Sequence, residues 1–129
     1  MTNTGGDMQH LTLEKGLATF LNTLSGKNRS AATIRAYATD IQQFIDFLHE
    51  NNVSIHYPAE VQKIDVMEYL SALAKRELTG IARARKMSAI REYFRFLEGV
   101  GVITKSPTTG IETSYDQKLW MRGEAAYPG

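Results

Sequence analysis

The chain has 129 residues, 43% hydrophobic and 22% charged, with a net charge of +1 at pH 7, the balance of one globular domain with one core. The count of 0 cysteines excludes disulfides, thiolate catalysis and cysteine-based zinc sites, and suits a reducing cytoplasm. No apolar run approaches the ~18 residues of a membrane span, and the polar start "MTNTGGDMQH" lacks the basic-then-apolar pattern of a signal peptide.

Residues 1–10 are expected to be disordered. In the first helix, over Thr12 to Ser25, Leu13, Leu17, Phe20, Leu21 and Leu24 recur at three- and four-residue steps. Gly16 inside it costs about 1 kcal/mol relative to alanine. The link "GKN" leads to Ser30, a natural N-cap for the second helix. There Ile34, Tyr37, Ile41, Phe44, Ile45 and Leu48 form the longest apolar stripe, ending near Asn51-Asn52. The connector "VSIHYPAEVQKI" contains Pro58, which has no place in a helix interior. A third helix is expected from Asp65, with Glu68 completing a capping box, and with Met67, Leu70, Leu73 and Ala74 on its buried side. Thr79 caps the fourth, whose stripe is Met87, Ile90, Phe94 and Leu97 and whose stop is Gly99 or Gly101. After "ITKSP" no period is sustained, so the remaining segment reads as a tail or linker. The expected architecture is all-α, a compact four-helix bundle with flexible N-terminal and C-terminal tails.

Charge is unevenly spread. Between Lys75 and Arg95 lie seven Lys or Arg and two Glu, an excess of five that leaves the remainder at −4. Arg83, Arg85 and Lys86 cluster in the first turns of the fourth helix with no Asp or Glu three or four residues away. Like charges at that spacing cost a helix roughly 0.2–0.5 kcal/mol per pair. The second helix opens in the same manner, with Lys27, Arg29, Ser30, Thr33 and Arg35 ahead of the first acid, Asp40. Both starts combine exposed amide donors, small hydroxyls and cations, which suits phosphate. A polyanionic partner would supply the missing negative charge.

Other chemistry finds little support. His10, His49 and His56 have no metal-ligand spacing, and His49 reads as a surface residue near a helix end. Neither "TGG" nor "GVG" has the strand-before, helix-after setting of a phosphate loop. No serine sits in a nucleophile turn with a histidine to activate it. Tyr93, Phe94 and Phe96, at helical spacing, read as core and core edge rather than as a stacking platform. No metal and no cofactor are expected.

The ordered helices resemble the N-terminal core-binding domain of tyrosine recombinases, the phage-integrase family. The resemblance rests on "S-x-x-T-I-x-x-Y-x-x-D-I-x-x-F-x-x-F-L" from Ser30 to Leu48 and "R-K-M-S-A-I-R-x-Y-F-R-F-L" from Arg85 to Leu97, with the following glycine turn, "S-P" and "G-I-E". It covers roughly Leu11 to Glu112. It implies a SAM-like helical DNA-binding domain over residues 11–112, with 113–129 as linker toward a catalytic domain that this chain lacks. Such a domain forms half of a clamp on double-stranded DNA, its second and fourth helices approaching the major groove. By position, Thr33, Arg35 and Thr39 would face DNA from the second helix. Arg85, Lys86 and Ala89 would do so from the fourth, with Ser30 and Thr79 near phosphates at the caps. Lys27, Arg29 and Arg83 join them on charge alone. Arg83 stands where the family favours an aliphatic residue, and Ala82 where it often has threonine.

The family's nucleophilic tyrosine and its arginine, lysine and histidine partners belong to that second domain, so no catalytic role is expected here for Tyr37, Tyr57, Tyr69, Tyr93, Tyr115 or Tyr127. The expected setting is cytoplasmic and free of membrane. The domain is expected to be monomeric alone, with other protomers of a parent recombinase as further partners on DNA. Two other readings stay open. A helical protein-interaction module would use Leu119–Met121 as its apolar patch. A small helix-turn-helix regulator fits the short "RELTG" link, but its recognition helix would be unusually long.

Overall fold

The computed structural model describes residues 10–76 and 78–111; of the expected tails over 1–10 and 113–129, all but His10 lie outside the described residues, and Leu119–Met121 with them. Within them the chain forms four α-helices: α1 over Leu13–Gly26, α2 over Ala31–Asn51, α3 over Lys63–Lys75 and α4 over Gly80–Gly99. A single 3₁₀ turn, Pro58–Glu60, is the other helical element among the described residues. The fold is all-helical.

The apolar stripes of α1, α2 and α4 become buried faces. Leu13, Leu17, Phe20 and Leu24 of α1 meet Tyr37, Ile41, Phe44, Ile45 and Leu48 of α2 and Met87, Ile90, Tyr93, Phe94 and Leu97 of α4. Aromatic rings knit the layers edge to face: Phe20 on Tyr37 at 5.7 Å between centroids, and Phe44 on Phe94 at 6.1 Å. Gly16 is buried because Tyr93 comes down on it; a Cβ there would lie 3.1 Å from the Tyr93 hydroxyl. That hydroxyl donates to the Leu13 carbonyl at 2.7 Å, so it has little room to retreat. The glycine's loss of helix propensity is thus offset by a close approach of α1 and α4.

Both ends of the long helices follow capping chemistry. Thr12, Ser30 and Thr79 accept hydrogen bonds from Lys15, Thr33 and Ala82 N–H groups at 3.1–3.2 Å. α1 stops in a Schellman turn, with Arg29 N–H on the Leu24 carbonyl, Asn28 N–H on that of Ser25, and Asn28 in the left-handed region at φ 62°. α4 ends identically: Val102 bonds to Leu97, Gly101 to Glu98, and Gly101 takes φ 85°. Gly101 is the left-handed position, and Gly99 is the last helical residue.

Three expectations change. α3 begins two residues before Asp65, with Gln62 as its N-cap; Asp65, not Glu68, closes the capping box by accepting from the Gln62 N–H at 2.8 Å. Its buried residues are Val66, Tyr69 and Leu73, whereas Met67 and Ala74 face solvent, so the face is rotated from the one expected. Finally, the chain after Ser106 is not all tail. Thr108 and Ile111 are buried, and the Arg91 guanidinium donates to the Ile111 carbonyl at 2.8 Å. Pro58 occupies the first position of the 3₁₀ turn, where its missing N–H is not needed, and Glu60 accepts from the His56 and Tyr57 N–H groups at 2.8 and 3.0 Å.

Two buried phenols differ in a checkable way. Tyr93 is hydrogen-bonded, whereas the Tyr69 hydroxyl is buried with no partner. Burial first, and then the nearby Asp40 charge, push the Tyr69 phenol up to about 12. Urea unfolding of Tyr93→Phe is expected to show a loss of about 1 kcal/mol, and Tyr69→Phe no loss or a small gain.

Candidate nucleic-acid interface

A helix with apolar residues at Tyr37, Ile41 and Phe44 has one further position on the same face, and it is Asp40. Its carboxylate has no solvent exposure. A buried charge must be paired or it is very costly, and α4 supplies the pairing. Lys86 Nζ lies 2.9 Å from Asp40 Oδ1, and Arg85 Nε lies 3.3 Å from Oδ2. Gln43, one turn further along α2, accepts from the same Lys86 ammonium at 2.6 Å. Two of the three cations that looked unneutralised within α4 thus have their counter-charge on α2.

The basic cluster is divided by this arrangement. Lys86, expected to face DNA from the fourth helix, is buried instead, with 10% of its side chain exposed, because Asp40 draws it inward. Ala89 was also expected at the DNA, and it is fully buried in the helix bundle. Arg85 differs: its Nε has no contact with solvent, yet 43% of the side chain is exposed. One edge of its guanidinium faces Asp40 and the rest faces outward. Arg83 is half-buried in the second turn of α4.

The other expected residues are on the surface. Lys27, Arg29 and Ser30 are exposed in the Schellman turn and cap between α1 and α2, and Arg35 and Thr39 are exposed along α2. Thr33 is half-buried and its hydroxyl accepts from Ser30 at 2.8 Å, so these two hydroxyls are partly engaged in capping. Thr79 is exposed, its oxygen engaged by the Ala82 N–H. No acidic residue lies in the first turn of α2 or of α4, so both positive helix ends keep their full field. The structure joins Arg85 to the middle of α2, near Thr39 and Gln43; the Lys27–Arg35 group lies a turn or more toward the N-terminus of α2.

Sequence reasoning passed over Asp40 and Gln43. Asp40 could have been found, since it falls on the apolar stripe three residues after Tyr37 and four before Phe44. Gln43 gave no signal of its own. At the opposite end of α2, His49 meets Glu14 of α1 at 2.6 Å and is half-buried rather than a plain surface residue. Burial, the largest single influence, works to raise the Glu14 carboxyl, but the His49 hydrogen bond, a backbone hydrogen bond and the proximity of His49 and His56 together outweigh it and hold the carboxyl below its usual range. Among the described residues no group of His, Cys, Asp and Glu is placed to hold a metal ion, and no helix is long and apolar enough to cross a membrane.

Residues 17–99 match the family described as phage integrase, N-terminal SAM-like domain. The chain belongs to that family. Similar curated proteins are tyrosine recombinases. That of Roseiflexus castenholzii, a XerC, is 36% identical over 67% of this chain and 27% of its own length. A XerD of Bifidobacterium longum is 31% identical over 80% of this chain and 29% of its own. A XerC of Oceanobacillus iheyensis is 35% identical over 74% and 31%. The chain thus spans about a third or less of these recombinases. No solved structure matches it. The matched SAM-like region contains α2, α3, α4 and most of α1, hence the whole Asp40–Lys86–Arg85 group.

The group gives a prediction for this integrase-type domain. Asp40→Leu alone strands Lys86, and Lys86→Met alone strands Asp40 with Arg85; each is expected to cost about 3–5 kcal/mol. The double variant, apolar on both sides, is expected to recover most of that loss in urea unfolding, since a buried pair replaced by apolar side chains is often near neutral.

Proposed function

We propose that this domain binds duplex DNA as the core-binding part of a site-specific tyrosine recombinase, with the exposed starts of α2 and α4 against the duplex. The observation that carries the reading is the surface at those starts: Lys27, Arg29, Arg35 and the outer edge of Arg85 are exposed, with no acid in either first turn. The family membership supports it. Phosphate contacts from such cations, hydroxyls and helix N-termini fix register on a duplex without reading sequence. On this reading the N-caps Ser30 and Thr79, with Thr33 beside Ser30, would lie near phosphates.

Residues able to read bases lie further along α2. Thr39 and Gln43 are exposed on the Arg85 side of the helix. With its oxygen held by Lys86, Gln43 presents amide donors outward, which suits acceptor edges of purines or phosphate oxygens. Docking α2 and α4 in the major groove would bring these together with Arg85. Lys86 and Ala89 act behind that surface rather than on it. Strand exchange itself belongs, on this reading, to a catalytic domain beyond residues 11–112, and the activity of the whole recombinase requires it.

Fluorescence anisotropy against a mixed-sequence duplex at several salt concentrations tests the reading. Non-specific binding is expected with a Kd on the order of 10⁻⁴–10⁻⁶ M. Replacing Lys27, Arg29 and Arg35 with alanine is expected to weaken binding evenly across sequences and to flatten the plot of log K against log salt by about 0.9 per lost phosphate contact. A folded chain that binds no duplex at low salt would leave the protein-interaction reading as the better one.

A further inference from the structure

The geometry points to Asp40 as a positioning residue for DNA recognition, holding one edge of the Arg85 guanidinium so that its opposite edge meets the ligand in a fixed orientation. This inference rests on the DNA-binding reading above. Its physical basis is the way Arg85 is held. Nη2 donates to one Asp40 oxygen at 3.5 Å, and Nε lies 3.3 Å from the other as an ion pair that lacks hydrogen-bond alignment. The carboxylate therefore faces the Nε–Nη2 side of the guanidinium. The donors left over are those of Nη1 and the outer N–H of Nη2, which form the end-on fork.

An end-on fork is the part of arginine that pairs bidentately with two acceptors, either two phosphate oxygens or the O6 and N7 of guanine. On an exposed helix a free arginine would sample many rotamers, and ordering it on binding would cost entropy. Asp40 cannot itself swing outward: it is fully buried and tied to Lys86 at 2.9 Å. Lys86 neutralises the carboxylate, so Arg85 retains a full positive charge toward the ligand. The three residues thus divide the work. Lys86 carries the charge balance of the core, Asp40 carries the orientation, and Arg85 carries the contact.

Two neighbours of the cluster are compatible with that assignment. Gln43 takes the other side of Lys86 at 2.6 Å and so shares that ammonium with Asp40. From α3, Tyr69 feels the Asp40 charge but leaves its own hydroxyl without a hydrogen bond, so it does not compete for the carboxylate.

The test is a cycle of duplex-binding measurements on the full chain by anisotropy at low salt. Four proteins are compared: the parent chain, Arg85→Ala, Asp40→Leu/Lys86→Met, and the triple variant. Arg85→Ala is expected to weaken binding roughly tenfold or more in the parent, the loss of a charge-assisted contact. In the Asp40→Leu/Lys86→Met background, where Arg85 is no longer held, the same replacement is expected to weaken binding by about twofold or less. A merely structural Asp40 would leave the Arg85 effect equal in both backgrounds, and that result overturns the proposal. If the parent chain binds no duplex, the DNA-binding reading fails, and this inference with it, which is a different outcome from equal effects. A second readout needs no core variant. The Arg85 Nε–H signal in ¹⁵N NMR is expected to stay protected from water exchange both free and on the duplex. Protection that disappears on the duplex would mean that Arg85 leaves Asp40 to bind, contradicting the proposal.

Discussion

A carboxylate without access to water sets the geometry of this domain. Asp40 lies in the middle of the apolar face of α2, and its burial is balanced by cations that α4 supplies. Apolar packing tolerates some rotation and sliding between helices, since hydrophobic contacts are not directional. An ion pair with hydrogen-bond geometry does not. Lys86 at 2.9 Å fixes the rotation of α4 about its axis, and so fixes which of its residues turn outward. Arg85 at the edge, Ala89 inside and Arg95 in solvent all follow from that one constraint.

The same constraint answers why α4 bears so much positive charge with so few acids of its own. The charge has two destinations. Part of it is neutralised within the protein, across the α2–α4 seam, and part stays exposed near the helix starts. Further along, Arg95 reaches Glu92 at 3.2 Å on the surface, and Arg91 fastens the chain at Ile111. A surface pair of the Arg95 kind contributes little to stability. The Asp40 group is a different case, because losing one partner leaves a charge in the core.

Much of this was legible in the sequence, for a physical reason in each case. α1, α2 and α4 announce themselves by long apolar periods and by Thr or Ser caps, and their boundaries fall within a residue or two of the expected ones. α3 was placed correctly but turned wrongly. Its exposed Ile64 and Met67 mimic a buried face, while its cap is a glutamine, a weak signal beside Asp65. The docked segment ending at Ile111 has no period at all, because single side chains, not a repeating face, hold it. At the site, the exposed cations of the first helix junction were readable from composition. The fate of Lys86 was not, since a lysine on an apolar stripe can extend to solvent or turn inward. The deciding partner lies 46 positions away in sequence. Asp40 was the available clue, an acid on a stripe that otherwise excludes water.

The central claim is therefore a partition of the basic residues: Lys86 belongs to the core, and the exposed cations at the helix starts are the ones proposed to meet the ligand. Lysine acylation of the native chain, read residue by residue by mass spectrometry with and without duplex DNA, tests it most directly. The account predicts that Lys86 reacts slowly under both conditions, while Lys27 reacts fast in the free protein and is slowed by DNA. Lys86 reacting as fast as Lys27 in the free protein, and gaining protection only from DNA, would contradict it.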